Sequence, residues 1–89
     1  MHMTLSFPNA SRNYSATRRC VCFWGHDSAI EIFFAVHEDA LQRLSPGADH
    51  DEVSMLRVFD FHRARIHEVA GNAYARRRQD AYQLSAADF

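Results

Sequence analysis

Residues 18–36 read RRCVCFWGHDSAIEIFFAV, and this stretch decides the fold. Its two ends, residues 18–24 and 29–36, are rich in the β-branched and aromatic side chains that are typical of strands. Between them lies Gly25-His26-Asp27-Ser28, a cluster of residues that favour turns. The stretch therefore predicts an antiparallel β-hairpin.

The register of this hairpin follows from its loop. A two-residue loop at His26-Asp27 and a four-residue loop from Gly25 to Ser28 both place Trp24 opposite Ala29. The pairs that follow are Phe23 with Ile30, Cys22 with Glu31 and Val21 with Ile32. One face then belongs to the core and carries Val21, Phe23, Ile30, Ile32, Phe34 and Val36. The opposite face, which we call the outer hairpin face, carries Arg18, Cys20, Cys22, Trp24, Ala29, Glu31, Phe33 and Ala35.

The outer hairpin face is too apolar for a surface that meets only water and too polar for a fully buried one. Because monomers seldom expose large apolar patches, we expect it to be covered by residues 8–17, by a second copy of the chain or by a partner protein. Trp24 and Phe33 are therefore predicted binding residues. His26 and Asp27 join them, since the hairpin tip exposes a titratable ring and a carboxylate.

Local patterns predict the short elements around the hairpin. They are an edge strand at residues 4–7, a surface loop at 9–17, a short helix at 38–44 and a last strand at 81–85. Pro8 stops the first strand, and Ser45-Pro46-Gly47 ends the short helix. Tyr82 and Leu84 share one side of the last strand.

A long helix is predicted from about residues 49–51 to Arg78, with Asp49 or Asp51 as its cap. Its apolar side should cover the sheet and carries Met55, Phe59, His62, Ile66, Val69, Ala70 and Ala73. Its solvent side carries Asp60, Ala64, His67, Gly71, Ala75 and Arg78, with Phe61 near it. Arg63, at the margin of the apolar side, is the last predicted binding residue, because its guanidinium can hold Asp60 or an anion from a partner. The more common role for an arginine there is to extend its stem past the core and keep its charge in water.

Taken together, the 89 residues predict one α+β domain. We expect an antiparallel sheet of three to four strands with one short and one long helix packed on one face, in the order β-β-β-α-α-β. No apolar run reaches the length of a membrane span, and no secretory signal is evident. A cytoplasmic protein with two free thiols and no membrane partner is therefore expected.

Charge argues against general nucleic-acid binding. Ten arginines, no lysine and eleven acids give a net charge of −1. Residues 57–78 nevertheless hold six arginines against two acids, a local charge of +4, so weak nucleic-acid binding is kept as an alternative function. Consecutive arginines at 76–78 point in different directions on a helix, which weakens that alternative.

No catalytic residue, metal ligand set or cofactor is predicted. His26-Asp27-Ser28 has the residue types of a hydrolase triad, but neighbours in a turn cannot act in series. Cys20 and Cys22 offer two thiols without further ligands, and His62 and His67 are five positions apart on a helix. His50, beside Asp49, Asp51 and Glu52, reads as the charged start of a helix. A small enzyme or metal-binding protein is the last alternative.

Several short segments, taken in order, resemble a known family. They are Leu5-Ser6-Phe7-Pro8-Asn9, Phe23-Trp24-Gly25-His26-Asp27-Ser28-Ala29, Asp39-Ala40-Leu41, Phe59-Asp60, Arg63-Ala64-Arg65-Ile66, Tyr74-Ala75-Arg76 and Ala86-Ala87-Asp88-Phe89. Together they resemble the bacterial family called domain of unknown function 1488. The resemblance implies a small α+β domain and carries no activity, cofactor or functional residue. The leading hypothesis is therefore a non-enzymatic interaction or regulatory module that acts through the outer hairpin face, as a homodimer or with a protein partner.

Overall fold

A computed structural model describes residues 5–89 of the chain. Its strands are Leu5–Ser6 (β1), Arg12–Ser15 (β2), Cys20–Asp27 (β3), Ile30–His37 (β4) and Ala81–Leu84 (β5). Its α-helices are Glu38–Leu44 (α1), Glu52–Phe61 (α2) and Arg63–Arg76 (α3), and a 3₁₀ turn spans Ala86–Asp88. The α+β class and the bounds of the short helix are confirmed. The predicted order was wrong, since four strands precede three α-helices; Thr4 lies outside the described residues.

One sheet contains all five strands. β3 and β4 form the central antiparallel hairpin, and β1 and β2 both pair with β3, β1 near Asp27 and β2 near Cys20. The prediction of a surface loop at residues 9–17 was wrong, because part of this segment forms β2. The segment has few strand formers, so its strand depends on the edge that β3 offers.

The prediction of a purely antiparallel sheet was wrong at the last strand. β5 pairs with β4 in parallel, with Phe34 opposite Tyr82 and Val36 opposite Leu84, so the sheet is mixed. A parallel pair needs a long crossover, and the three α-helices between β4 and β5 supply it. Tyr82 and Leu84 are both buried, as their shared side predicted.

The predicted register of the hairpin was wrong. Trp24 pairs with Phe33 instead of Ala29, and Phe23 pairs with Phe34, because the turn lies at Ser28-Ala29. Ser28 takes the left-handed φ of 55° that this tight turn needs. The shift is an even number of residues, so each side chain keeps its predicted face. Ile30 lies at the turn end of the hairpin, opposite Asp27, and is 60% exposed instead of joining the core.

Gly25 explains why the turn is not where the sequence suggested. It lies inside β3, where a Cβ atom would approach Leu5 Cδ1 to 2.9 Å and Phe7 Cε1 to 3.0 Å. This glycine therefore makes room for the side chains of Leu5 in β1 and of Phe7 just after it, and it is not a turn residue.

The predicted long helix is two helices. The chain bends at His62, whose φ and ψ are −104° and 19°, while backbone hydrogen bonds continue from His62 N to Val58 O and from Ile66 N to His62 O, each 3.0 Å. His62 Nε2 also lies 3.0 Å from Ser45 Oγ, in the segment after α1. No proline or glycine marks the bend, so contacts with other elements hold it. Asp51 caps α2 as predicted, accepting a hydrogen bond from Ser54 N at 2.8 Å.

Beyond the bend, α3 buries its predicted apolar side, including Ile66, Val69 and Ala70, but the buried surface is wider than predicted. Gly71, which was predicted to face solvent, is buried. His67, predicted on the same side, stacks on Phe7 with ring centroids 3.9 Å apart. Phe61 is 83% exposed, as predicted. The predicted solvent side was therefore wrong at Gly71 and His67 and right at Asp60, Ala64, Ala75 and Arg78, which are exposed.

His67 should make the fold sensitive to mild acid. Burial, with a smaller effect from the Arg63 charge, lowers its pKa from 6.5 to about 4. Between these pH values the unfolded chain binds a proton at His67 that the folded chain does not. The free energy of unfolding therefore has its full value above pH 6.5 and decreases as the pH falls toward 4. Urea unfolding at about pH 7 and about pH 5 should show wild type losing about 1 kcal/mol more than His67→Gln, a modest value because the ring is partly exposed. Equal losses in the two proteins would contradict this assignment.

Aromatic rings at the centre of the core join the sheet to the helices. The Phe23 ring centroid lies 5.2 Å from that of Phe34 and 5.1 Å from that of Phe59, and Phe34 stacks on Tyr82 at 5.1 Å. The buried apolar side chains of α1, α2 and α3 all belong to this core cluster. The helices therefore pack on one face of the sheet, as predicted.

Candidate functional site

The outer hairpin face carries an apolar cluster of its own. Cys20, Cys22 and Ala35 are buried, and Trp24 and Phe33 are partly buried against them. Trp24 meets Phe33 edge to face, with centroids 5.7 Å apart. In the described part of the chain, this cluster contains no helix residue. The predicted binding residues Trp24 and Phe33 are thus brought together on a face that the helices do not cover.

Two neighbouring features partly shield this cluster. The Arg18 guanidinium carbon lies 6.0 Å from the Phe33 ring centroid, so its side chain reaches across the face. At the other side, His37 Nε2 lies 2.7 Å from Gln83 Oε1 of β5. Residues 8–17, one of the expected covers, instead contribute a strand beside β3. Trp24 and Phe33 keep partial access to solvent.

The two thiols are unsuited to nucleophilic chemistry. Cys20 Sγ and Cys22 Sγ are 3.9 Å apart, and both cysteines are free and buried. Burial, followed by the neighbouring Cys20, raises the pKa of Cys22 to about 11. With this pKa, Cys22 stays protonated at neutral pH. Because the thiolate is the reactive form, Cys22 is a poor nucleophile. Among residues 5–89, no three histidine, cysteine or acidic side chains are grouped to hold a metal ion.

The predicted tip residues point to opposite faces. His26 lies on the outer hairpin face opposite Glu31, with 3.9 Å between Nε2 and the Glu31 carboxylate oxygen. Asp27 turns to the helix side, where its Oδ2 accepts a hydrogen bond from the Tyr74 hydroxyl at 2.5 Å. Arg78 approaches the same oxygen at 3.5 Å. Asp27 therefore ties the hairpin to α3, and the structure does not group it with Trp24.

Arg63, the remaining predicted binding residue, is engaged within the chain. It donates a hydrogen bond to Asp60 at 2.8 Å, and its guanidinium lies 4.9 Å from the Phe59 ring centroid. Arg12 of β2 donates to both oxygens of the same carboxylate, at 2.9 and 2.7 Å. These hydrogen bonds lower the pKa of Asp60, Arg12 contributing most. The cluster joins β2 to the bend between α2 and α3.

The arginine-rich helix segment carries less free charge than its sequence suggests. Arg63 pairs with Asp60, Arg65 pairs with Glu68 at 2.8 Å, and Arg78 approaches Asp27. Each pair offsets one of the positive charges on which phosphate attraction would depend.

Sequence reasoning missed a polar groove beside the start of α1. This α1 groove has a volume of about 580 Å³, and its lining residues are Arg18, Arg19, His37, Glu38, Asp39, Gln42, His50 and Ser85. Its centre is Glu38, whose side chain is 11% exposed. Glu38 Oε1 accepts hydrogen bonds from Arg19 Nη2 at 2.9 Å and from His50 Nδ1 at 2.5 Å. The His50 and Arg19 contacts, the former the larger, lower the pKa of Glu38 despite its burial.

The backbone around the groove positions this cluster. Arg19 adopts a left-handed φ of 54°, and its carbonyl accepts the backbone N–H of Glu38 at 3.0 Å. His50 arrives from the segment between α1 and α2. It stands among acids in the sequence, so its actual partner, twelve positions away, gave no local signal. The sequence contains no signal for this cluster, because the burial of Glu38 becomes apparent only in the fold.

Known proteins share the sequence pattern and the fold of this chain. A family model described as "Protein of unknown function (DUF1488)" matches residues 5–85. The fold is similar to the crystal structure of a protein of unknown function from the DUF1488 family of Shewanella loihica PV-4, with a TM-score of 0.84, 16% identity and coverage of 96% of each chain. No curated protein matches the chain. The match over nearly the whole sequence shows that this chain belongs to the DUF1488 family.

Proposed function

We propose that this protein is a non-enzymatic interaction module whose binding surface is the outer hairpin face, and that its partner there is a second copy of the chain. The observation that carries the proposal is the Trp24–Phe33 pair, which stands on a face without helix cover among residues 5–89. Partly exposed tryptophan in an apolar setting is the residue type that most often anchors protein interfaces.

The charges at the edges of this face support self-association. Arg18 precedes β3 at one end of the face, and Glu31 lies beside His26 at the other end. In a two-fold dimer the same patch of both copies meets, and a two-fold axis that crosses the strands brings each end against the opposite end of its partner. Arg18 of one copy is then brought near Glu31 of the other, where opposite charges favour the correct register.

We further propose that the protein has a regulatory role in the cytoplasm. The buried, reduced thiols at the centre of the face suit a reducing compartment. Among residues 5–89, no helix combines the length and apolar character that a membrane crossing needs. Nucleic acid and small-molecule turnover are not part of the proposal.

Sedimentation velocity over about 5 to 200 µM protein tests self-association. Wild type should form a concentration-dependent dimer, and Trp24→Ala should weaken it at least about tenfold, as expected for an interface anchor. Phe61→Ala is the matched control, because Phe61 is 83% exposed at the end of α2, away from the outer hairpin face. Circular dichroism confirms that each variant is folded. A wild type that stays monomeric, or equal effects of the two variants, would contradict the proposal.

A further inference from the structure

The α1 groove adjoins the outer hairpin face and has a different chemistry. Its two arginines, Arg18 and Arg19, are consecutive, and His50 joins them from another part of the chain. The buried Glu38 carboxylate holds Arg19 and His50 through one oxygen, Oε1. This shared contact fixes the positions of two cationic or titratable side chains before any ligand arrives.

The groove keeps hydrogen-bond donors that the fold does not use. The Arg19 side chain is 67% exposed and that of His50 is 54% exposed. His50 Nδ1 is occupied by Glu38, whereas Nε2 has no hydrogen-bond partner in the part of the chain that the structure describes. Arg18 contacts the Phe33 ring and makes no ion pair with residues 5–89. The unused donors therefore belong to the guanidinium groups of Arg18 and Arg19.

The two acids of the groove balance the formal charge of its two arginines, but they do not hydrogen-bond to these unused donors. Glu38 is buried and already accepts from two donors. Asp39 is exposed in the first turn of α1 and makes no ion pair with the described residues. It opposes anion binding at its own side of the groove, so an anion should be bound on the side of the arginines.

We propose that the α1 groove binds the oxyanion group of a small molecule, a phosphate or a carboxylate. Guanidinium forks match the spacing of phosphate and carboxylate oxygens, and they bind both with charge-assisted hydrogen bonds. Arg18 and Arg19 supply the donors, and Glu38 is a positioning residue that holds Arg19 and His50 in the groove. A groove of about 580 Å³ has the size of a small-molecule site.

Nuclear magnetic resonance of the full chain tests the proposal. Titration of ¹⁵N-labelled protein with inorganic phosphate, and separately with acetate, is compared with sodium chloride at equal ionic strength. Saturable shifts confined to Arg18, Arg19, Glu38 and His50 are expected with at least one of the two anions. The anion that binds with the lower dissociation constant is the preferred oxyanion. Shifts no larger than those with chloride, or spread along α3, overturn the proposal.

Variants separate a built site from general charge attraction. Arg19→Gln should weaken anion binding at least about fivefold, and Arg43→Gln, an exposed arginine in the last turn of α1, should change it less than about twofold. Arg18→Gln, which leaves the Glu38 contacts intact, provides a second variant should Arg19→Gln be poorly folded. Equal effects of Arg43→Gln and both groove variants overturn the proposal. Preferential binding of a single-stranded oligonucleotide over both anions also contradicts it. Arg19 takes no part in the proposed dimer contacts. Anion binding by Arg19→Gln and sedimentation of the wild type therefore test the two proposals separately.

Discussion

Phe23→Ala should remove about 3 to 5 kcal/mol of unfolding free energy, a large part of the total for a domain of this size. The Phe23 side chain is 1% exposed and touches the rings of Phe34 and Phe59, so its loss leaves a cavity between the sheet and α2. Rigid neighbours on both sides cannot collapse to fill that space. The variant should be partly unfolded even without denaturant.

Phe61→Ala is the control for this prediction, because it removes the same atoms from an exposed position. Phe61 is 83% exposed, and its replacement should change the free energy of unfolding by no more than about 0.5 kcal/mol. Urea unfolding followed by tryptophan fluorescence measures both variants. A Phe23→Ala protein as stable as Phe61→Ala would show that the core is not built around Phe23.

Asp27→Ala should lower the melting temperature by roughly 10 °C. Its carboxylate accepts the Tyr74 hydroxyl and faces Arg78, so the substitution leaves Tyr74 of α3 and Arg78 just after α3 without this acceptor. Hydrogen bonds to a charged acceptor are stronger than neutral ones, and this one joins segments that are 47 residues apart. The loss should therefore loosen the hairpin tip from the helix layer.

A tyrosine titration reports the same contact independently. The hydrogen bond to Asp27 is the main cause that raises the pKa of Tyr74, followed by burial. Spectrophotometric titration should show this pKa moving back toward 10.0 in Asp27→Ala. Glu31→Ala, which removes a carboxylate from the other face of the same hairpin, should change neither the melting temperature nor the Tyr74 pKa appreciably. An unchanged Tyr74 pKa in Asp27→Ala would contradict the assigned contact.

Features that depend on local pattern could be predicted from the sequence. The hairpin faces were correct although the register was not, because alternation determines the face and the turn determines the register. Gly25 has the composition of a turn residue, yet the side chains of Leu5 and Phe7 require it inside β3. Ser28, a less obvious turn residue, adopts the left-handed conformation.

Features that depend on distant contacts could not be predicted. The bend at His62 has no helix-breaking residue and involves Ser45, 17 positions earlier. β2 forms only beside β3, and β5 is parallel because of the path that the helices take. The α1 groove combines Arg19, Glu38 and His50 from three separate segments. By contrast, the shared face of Trp24 and Phe33 could be predicted from the sequence, because alternation along β3 and β4 places both on the outer hairpin face.

The most direct measurement of the central claim is a pair of isotope-filtered nuclear Overhauser experiments on a mixture of labelled and unlabelled chains. If two copies meet through the outer hairpin face, contacts between chains should involve the Trp24 and Phe33 rings, and Arg18 of one chain should approach Glu31 of the other. Contacts between chains that involve only Phe61 and other helix residues would contradict the proposed interface, and so would their complete absence at a concentration at which the chain is dimeric.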